Sequence, residues 1–280
     1  MKIYGLDFTS APSKRKPITC AEGKIELEAK DKILVWQNFY QYPDFEGFEA
    51  FLCQSGQWIA GMDFPIAQPR KLIENLQWGN TWADYVDRVA NMTKQEFVDT
   101  LTEYSRQRPL GDREHKRLVD KLCGAISPMK LYGIPIGKMF FEGAPRLLKA
   151  GVSIPPCYQG DLDRVILEVY PALVARHWIG RQSYKSDLKQ KQSIANQAAR
   201  QTIINGIRSE QQQQIYGFKV ILPDCDAETL VLDPTGDKLD ALLALIQATW
   251  GSTQPNYGIP ANCDRLEGWI VDRSLQEIYD

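Results

Sequence analysis

The sequence predicts an α/β protein with a mixed β-sheet, in which three antiparallel strands come first, parallel strands follow, and helices cover both faces. Three observations predict this class. Short strand patterns open the chain, and a helical pattern separates them from a further strand. The hexapeptide IYGLDF at residues 3–8 also returns almost unchanged as IAGMDF at residues 59–64. A strand, a helix and a second strand require a crossover, so the later copy should run parallel to its neighbour.

The early strands are predicted from alternating apolar and polar residues. This alternation occurs at residues 2–9, 17–27 and 32–37, with a turn expected at Glu22-Gly23. Because the connections are short, these three strands should form an antiparallel meander. A helix is predicted next, because Phe45, Phe48, Phe51 and Leu52 recur at helical spacing. Residues 58–64 then form the predicted fourth strand.

Residues 66–160 are expected to be an insertion of helices and loops that covers one end of the sheet. Two helices are predicted there, over WADYVDRVANM and over TKQEFVDTLTEYSRQ, where Thr93 and Glu96 have the spacing of a capping box. The stretch 124–160 contains prolines spaced among glycines and is predicted to be rich in loops. We therefore expect one domain, residues 1–280, that carries this insertion.

The remaining elements are predicted in the last third of the chain. DRVILEVYP at residues 163–171 is typical of a buried strand, and a polar helical region follows at about 184–213. IYGFKVIL is compatible with a strand or a helix end. PTGDKLDALLALIQATW is the clearest helix, with an expected N-cap at Thr235 and an apolar stripe along one face. EGWIVD at residues 267–272 is predicted to be a final edge strand.

Composition restricts the classes of protein and site. No apolar run of membrane-spanning length and no secretory signal occur, so we expect a cytoplasmic protein without a membrane partner. The six cysteines form no CxxC motif and are expected to be reduced. With only two histidines, a histidine-rich zinc site is nearly excluded. Any metal should therefore have oxygen ligands, which favours Mg²⁺, Mn²⁺ or Ca²⁺.

The doubled hexapeptide places an aspartate at the end of each strand, Asp7 and Asp63. Side chains alternate along a strand, so each aspartate shares a face with a glycine two residues earlier, which should leave open space beside the acid. If the strands are neighbours, the two carboxylates stand side by side and repel each other unless a proton or a cation intervenes. The alternative is that each aspartate only ends its strand and bonds a nearby turn.

Further acids are candidates for the same site. Glu168 lies in the apolar run VILEVYP, where it is either a metal ligand or half of a buried salt bridge. Asp237 lies near a helix start, where the helix dipole explains an acid without a function. Asp240 lies one turn further in, on a face with Ala241, Ala244 and Ala248, whose small side chains allow close packing. Asp240 is therefore the better ligand candidate of the two.

The net charge of −2 does not decide for or against a nucleic-acid partner, but the charge is unevenly distributed. Basic residues concentrate at 104–121 and at 176–208. Such surfaces attract phosphates, although runs of charge are also common on solvated helix faces. Both interpretations stay open on the sequence alone.

The order of elements is that of the ribonuclease H-like fold, and several segments carry a more specific resemblance. YGLDFTSAP, IAGMDFPIAQP, LEVYPA, GDKLDALLALIQA and EGWI occur in this order between residue 3 and about residue 271. The chain resembles the bacterial family called domain of unknown function 429, which is regarded as a group of predicted nucleases of ribonuclease H fold. The family commonly has a glycine-rich run after the first aspartate, where this chain has FTSAPSKRKP.

The resemblance implies a nuclease that hydrolyses phosphodiester bonds with Mg²⁺ or Mn²⁺. It implies an acidic cluster of Asp7, Asp63, Glu168 and Asp240, and the residues themselves add Asp237 as a weaker metal-ligand candidate. In ribonuclease H-like enzymes such a cluster holds two ions, one activating water and one stabilising the leaving oxygen. The insertion would contact nucleic acid through five basic residues: Arg106, Arg108, Arg113, Lys116 and Arg117.

Two other functions remain open at this point. An ATPase or phosphotransferase of the actin-like superfamily begins with a similar strand order, but it normally needs two such domains and glycine-rich phosphate hairpins. A non-catalytic module that binds nucleic acid or metal would keep the acids without turnover. The type of nucleic acid and the oligomeric state are not indicated by the sequence.

Overall fold

The computed structural model describes residues 1–28 and 31–279, whose strands form one seven-stranded mixed sheet. The strands are β1 (Lys2–Asp7), β2 (Ile18–Glu28), β3 (Asp31–Tyr42), β4 (Trp58–Asp63), β5 (Val152–Ser153), β6 (Asp161–Glu168) and β7 (Lys219–Ile221). Across the sheet their order is β5-β6-β4-β1-β2-β3-β7. The predicted α/β class and mixed sheet are therefore confirmed.

Strand directions follow the expected scheme. β2 is antiparallel to both β1 and β3, whereas β4 is parallel to β1 and β6 is parallel to β4. The meander and the crossover are both confirmed. The turn expected at Glu22-Gly23 is wrong, because β2 continues through these residues and only its register against β3 shifts there. A bulge of this kind bends a strand without ending it, and Gly23 makes room for the Leu34 side chain.

Twelve α-helices are formed by the described residues. Those before β6 are α1 (Phe45–Leu52), α2 (Arg70–Asn75), α3 (Trp82–Ala90), α4 (Lys94–Arg106), α5 (Leu118–Cys123) and α6 (Ile136–Ala150). Those after β6 are α7 (Pro171–Ile179), α8 (Ile194–Ile207), α9 (Glu210–Tyr216), α10 (Asp224–Leu232), α11 (Asp237–Ser252) and α12 (Arg273–Tyr279). Among these residues no helix combines the length and the apolar character needed to cross a bilayer.

One sequence expectation about local structure is incomplete and another is wrong. The stretch 124–160 contains α6, fifteen residues long, with Pro145 inside it. Its buried face, including Phe140, Ala144 and Leu147, packs in the core and outweighs the local effect of the proline. Residues 267–272 do not form an edge strand, because only Ile270 makes a single bridge, to Glu168.

Helices cover both faces of the sheet, as predicted, and each face has its own apolar cluster. On one face, side chains such as Tyr4, Leu6 and Met62 pack with α1, α3, α4 and α6. On the other face, Ile3, Ile59 and Leu167 pack with α7, α8 and α11. The odd-numbered residues of β1 and β4 thus face α11, and this group includes Asp7 and Asp63.

The glycines of the doubled hexapeptide allow α11 to lie directly on the sheet. A Cβ atom added to Gly5 would stand 2.0 Å from the backbone nitrogen of Leu245, and one added to Gly61 would stand 2.7 Å from the carbonyl oxygen of Ala244. The expectation of open space beside the aspartates is therefore wrong, since helix backbone fills it. The close packing predicted from the alanine face of α11 is confirmed.

The start of α11 differs from the sequence expectation. Its N-cap is Gly236, with φ of 74°, and not Thr235, whose hydroxyl donates to Asp233 instead. The left-handed conformation at Gly236 is one that glycine adopts without strain. The Asp240 backbone N–H donates to the Gly236 carbonyl at 2.8 Å, so Asp240 belongs to the first turn of the helix.

Candidate metal centre

The two repeated aspartates lie side by side at the carboxyl ends of β1 and β4. These strands pair in parallel with Gly5 opposite Gly61 and Asp7 opposite Asp63. The neighbouring position predicted from the doubled hexapeptide is therefore confirmed. Both side chains are half-buried and point toward α11. The carboxyl ends of parallel strands are where ligands bind in open α/β sheets.

Helix α11 adds a third carboxylate to this pair. Asp7, Asp63 and Asp240 each offer one carboxylate oxygen, and these three oxygens lie within 4.8 Å of one another. Asp240 is fully buried, with 1% of its surface exposed. Because Gly5 and Gly61 bring the helix onto the strands, residues far apart in sequence form one compact group of acids. We call Asp7, Asp63 and Asp240 the triad.

Asp240 has two partners that the sequence analysis did not identify as site residues. The Tyr184 hydroxyl donates to Oδ1 of Asp240 at 2.5 Å, and the Lys185 ammonium donates to Oδ2. Both come from the extended segment between α7 and α8. The only sequence signal was the place of Lys185 in a basic run, which does not distinguish it from exposed lysines nearby.

Burial and mutual repulsion make the triad a poor place for unbalanced negative charge. Burial raises the pKa of Asp63 to about 7, and the charge of Asp240 adds to this effect. Burial also raises the pKa of Asp7 well above its ordinary value, with a further rise from Asp240 and a partial reduction from Lys185. Burial alone would lower the pKa of Lys185, but Asp240 and Asp7 raise it overall. The triad therefore favours a bound proton or cation.

Glu168 extends from the opposite face of the sheet and is not part of the triad, although it lines the same cavity and its charge adds to the raised pKa of Asp63. It pairs with Met62 in the β4–β6 register, and Met62 belongs to the apolar cluster away from α11. Its carboxylate accepts two hydrogen bonds from the buried Arg117, at 2.5 and 2.7 Å, and one from the Ile66 backbone N–H at 2.9 Å. The structure thus shows the buried salt bridge, which was the alternative to a metal ligand.

Asp237 lies near the triad without joining it. It is half-buried, lines the same cavity, and has a pKa raised by burial, which Lys16 and Lys185 partly offset. Its position in the first turn of α11 agrees with the helix-dipole explanation of this acid.

The triad opens into a cavity of about 810 Å³. One part of its lining is charged, with Lys16 and Lys185 beside the acids, and the Lys16 ammonium donates to Asp187 at 2.5 Å. Another part is apolar, and the segment before and within α6 contributes Ile126, Ile134 and Met139 to it. The cavity therefore combines a charged wall, which contains the triad, with an apolar wall.

The basic residues proposed to contact nucleic acid do not act as one group. Arg117 lines the cavity, but it is 1% exposed and its guanidinium is held by Asp120 and Glu168, so it is not a free surface contact of the kind expected. Burial would lower the pKa of Arg117, but these two carboxylates raise it. Arg108 is half-buried over the Tyr104 ring. Arg106, Arg113 and Lys116 are exposed, and none of these three lines the cavity.

Comparisons with protein-family models, with curated proteins and with solved structures found no match. The function must therefore be inferred from the site.

The residues of the triad fit a hard divalent cation. Carboxylate oxygens are the ligands that Mg²⁺ and Mn²⁺ take in proteins, and here three converge from separate elements. Thr19, opposite Asp7 on β2 and on the same face, supports a polar ligand nearby. Its hydroxyl is completely buried and has no hydrogen-bond partner among the described residues. Such a group is costly unless water or a ligand satisfies it.

Proposed function

We propose that this protein is a divalent-metal-dependent nuclease that hydrolyses phosphodiester bonds, with Mg²⁺ or Mn²⁺ held by Asp7, Asp63 and Asp240. The observation that carries the proposal is the convergence of three carboxylates, from β1, β4 and α11, within 4.8 Å at the wall of a large cavity. Strand-end acids that only cap turns have no reason to meet a helix acid in this way.

The sheet supports a ribonuclease H-like fold as the finer description. In that fold a three-stranded antiparallel meander is followed by parallel strands on the side of β1, and the order β3-β2-β1-β4-β6 has this arrangement. The repeated aspartates then occupy the ends of the two central parallel strands. The fold alone does not decide the reaction, so the triad remains the basis of the proposal.

The chemistry divides between the cation and the chain. A bound divalent cation lowers the pKa of a coordinated water and neutralises charge that develops on phosphoryl oxygens. The three carboxylates would hold and orient such a cation. Glu168 acts as a positioning residue, because its bond to the Ile66 N–H fixes the chain three residues after Asp63. Arg117 in turn fixes Glu168 through two hydrogen bonds.

The cavity and the surface beside it suit the proposed substrate. The apolar wall formed by Ile126, Ile134 and Met139 faces the same space as the triad and accepts the flat or apolar part of a nucleotide. The exposed Arg106, Arg113 and Lys116 lie outside the cavity, where they are proposed to attract more distant phosphates. The unpaired state of all six cysteines supports a reducing, cytoplasmic location.

A second candidate, a cation-binding module without turnover, is favoured by one specific observation. Both carboxylate oxygens of Asp240 are already bonded within the chain, to Tyr184 and Lys185. A site with these bonds permanently in place would bind an ion through fewer ligands. The two candidates agree on metal binding and differ in whether any phosphodiester bond is cleaved.

The test begins with protein freed of metals by EDTA. It is titrated with Mn²⁺ by calorimetry and then assayed on single-stranded, duplex, hybrid and branched nucleic acids. We expect Mn²⁺ binding and metal-dependent cleavage, both lost in Asp7→Asn and Asp63→Asn. Asp99→Asn, the same change at an exposed position on α4, should retain both.

The outcomes separate the candidates. Full turnover in Asp7→Asn and Asp63→Asn would remove these residues from the mechanism. Mn²⁺ binding through the triad without cleavage of any substrate would favour the binding module. ATP turnover without cleavage of nucleic acid would indicate the actin-like alternative instead.

A further inference from the structure

Lys185 is the positive charge in direct contact with the triad. Its ammonium donates to Oδ2 of Asp240, and its charge also acts on Asp7. A divalent cation held by Asp7, Asp63 and Asp240 and the ammonium of Lys185 would therefore draw on the same carboxylate oxygens. Two positive charges this close repel each other strongly in a poorly solvated site.

The backbone that carries Lys185 is held in place from two sides. The Ser183 carbonyl accepts from the Asn196 side chain at 2.9 Å, and the Tyr184 carbonyl accepts from Arg200 at 2.7 Å. The Ser186 N–H donates to the Pro234 carbonyl at 3.2 Å. Residues 182–186 belong to no helix or strand, so these bonds to α8 and to the turn before α11 determine where they lie.

The stem of Lys185 is also built into the site. A Cβ atom added to Gly236 would stand 2.8 Å from the Lys185 Cβ, so the glycine before α11 leaves room for the lysine stem to pass. The main chain and the first carbons of Lys185 are thus fixed. The side chain as a whole is partly exposed, and its ammonium end faces the cavity. An anchored base with a movable charged end suits a residue that changes partner.

We propose that a divalent cation displaces the Lys185 ammonium from Asp240, and that the freed ammonium then binds a phosphoryl oxygen of the substrate in the cavity. This inference rests on the proposed metal centre and adds a substrate-binding residue to it. Cation arrival releases the lysine, so the cavity gains a phosphate-binding group only when the cation is present. Lysine acts well in this role, since it is a compact charge on a flexible stem.

The test compares wild-type protein with Lys185→Met, which keeps an unbranched apolar stem, and with Lys189→Met on the same segment as a matched control. Lys189 is exposed and outside the cavity lining. Calorimetry first measures Mn²⁺ binding to EDTA-treated protein. It then measures binding of inorganic phosphate, at one fixed saturating concentration of Mn²⁺.

We expect Lys185→Met to bind Mn²⁺ about tenfold more tightly, because the competing charge is gone, and phosphate about tenfold more weakly. Lys189→Met should match the wild type in both measurements. If Lys185→Met does not fold, Lys185→Gln gives the same readouts, since its amide can donate to Asp240 but carries no charge.

Each result has a distinct meaning. Unchanged or weaker Mn²⁺ binding in a folded Lys185 variant overturns the displacement, and unchanged phosphate binding overturns the substrate contact. If either of these results occurs while Asp7→Asn and Asp63→Asn still lose Mn²⁺ binding, the proposed metal centre is retained and only the role of Lys185 is refuted. Wild-type protein that binds no Mn²⁺ instead refutes the metal centre and, with it, this inference.

Discussion

Replacement of Asp63 by asparagine should stabilise the metal-free protein at alkaline pH. Burial and Asp240 raise the pKa of Asp63 from 3.8 to about 7, so the folded chain binds a proton more tightly than the unfolded chain does. The stabilisation from this proton is fully present below pH 3.8 and is lost as the pH rises through about 7. At higher pH the folded protein carries an unfavourable charge that asparagine removes.

The size of the effect follows from the shift in pKa. A change from 3.8 to about 7 is roughly three units, which corresponds to about 4 kcal/mol as an upper value. Asp63 is half-buried, and water screens part of this cost, so we expect about 2 kcal/mol at pH 8. At pH 5 the folded chain is still mostly protonated at Asp63, but the unfolded chain is already mostly ionised there. Only about 1.2 of the roughly three units then act, so we expect roughly 0.8 kcal/mol at this pH.

Urea unfolding in EDTA at both pH values measures this difference, with Asp99→Asn as the control at an exposed site. Asp63→Asn should have the higher free energy of unfolding at both pH values, by about 2 kcal/mol at pH 8 and by less than half of that at pH 5. A variant that is less stable than wild type at pH 8, or equally shifted at both pH values, would refute the reasoning about Asp63.

Three further predictions follow from the same contacts. Gly5→Ala should lower the free energy of unfolding, measured in urea, by more than about 3 kcal/mol, because the added Cβ stands 2.0 Å from helix backbone. Gly47→Ala, where the nearest atom to the added Cβ is 3.3 Å away, is the control, and a similar loss in both variants would contradict the prediction. Arg117→Met should lower the free energy of unfolding by about 3–5 kcal/mol, since Glu168 and Asp120 lose their buried partner. Lys116→Met, at the exposed neighbouring position, should change it little, and equal stability of the two variants would show that these ion pairs do not stabilise the fold. Mn²⁺ affinity, measured by calorimetry, should rise between about pH 6 and pH 8, because protons on Asp63 and Asp7 compete with the ion; an affinity that is flat over this range would show that the triad is not the site.

The central part of the fold and of the site was accessible from sequence because it is repeated. Two copies of one strand, with glycine and aspartate in the same places, predict neighbouring strands with aligned acids, and Asp7 and Asp63 do pair. The alanines beside Asp240 predicted close packing of that helix on another element. Each signal lies in short segments whose period and spacing are directly readable, and the repeat links two such segments that are far apart along the chain.

Other parts of the site depend on relationships that one sequence does not contain. Glu168 is an acid within an apolar strand, which is also where a metal ligand could lie. The face of the sheet on which it lies depends on the register between β4 and β6, and a shift of one residue would place it on the other face. Its partner Arg117 comes from a segment fifty-one positions earlier that looked like exposed basic surface. Tyr184 and Lys185 reach Asp240 from an irregular segment held by tertiary hydrogen bonds, which leave no periodic pattern.

The spacing of glycine and aspartate links packing to chemistry in both copies of the hexapeptide. With larger residues at positions 5 and 61, α11 would have to move away from β1 and β4, because the obstructing atoms belong to its backbone. Asp240 lies on this helix, so the same movement would carry its carboxylate away from Asp7 and Asp63. Oxygens within 4.8 Å of one another can share a cation only while the helix lies this close. The two glycines therefore act on the proposed metal centre without touching it, by determining how near the third carboxylate can come.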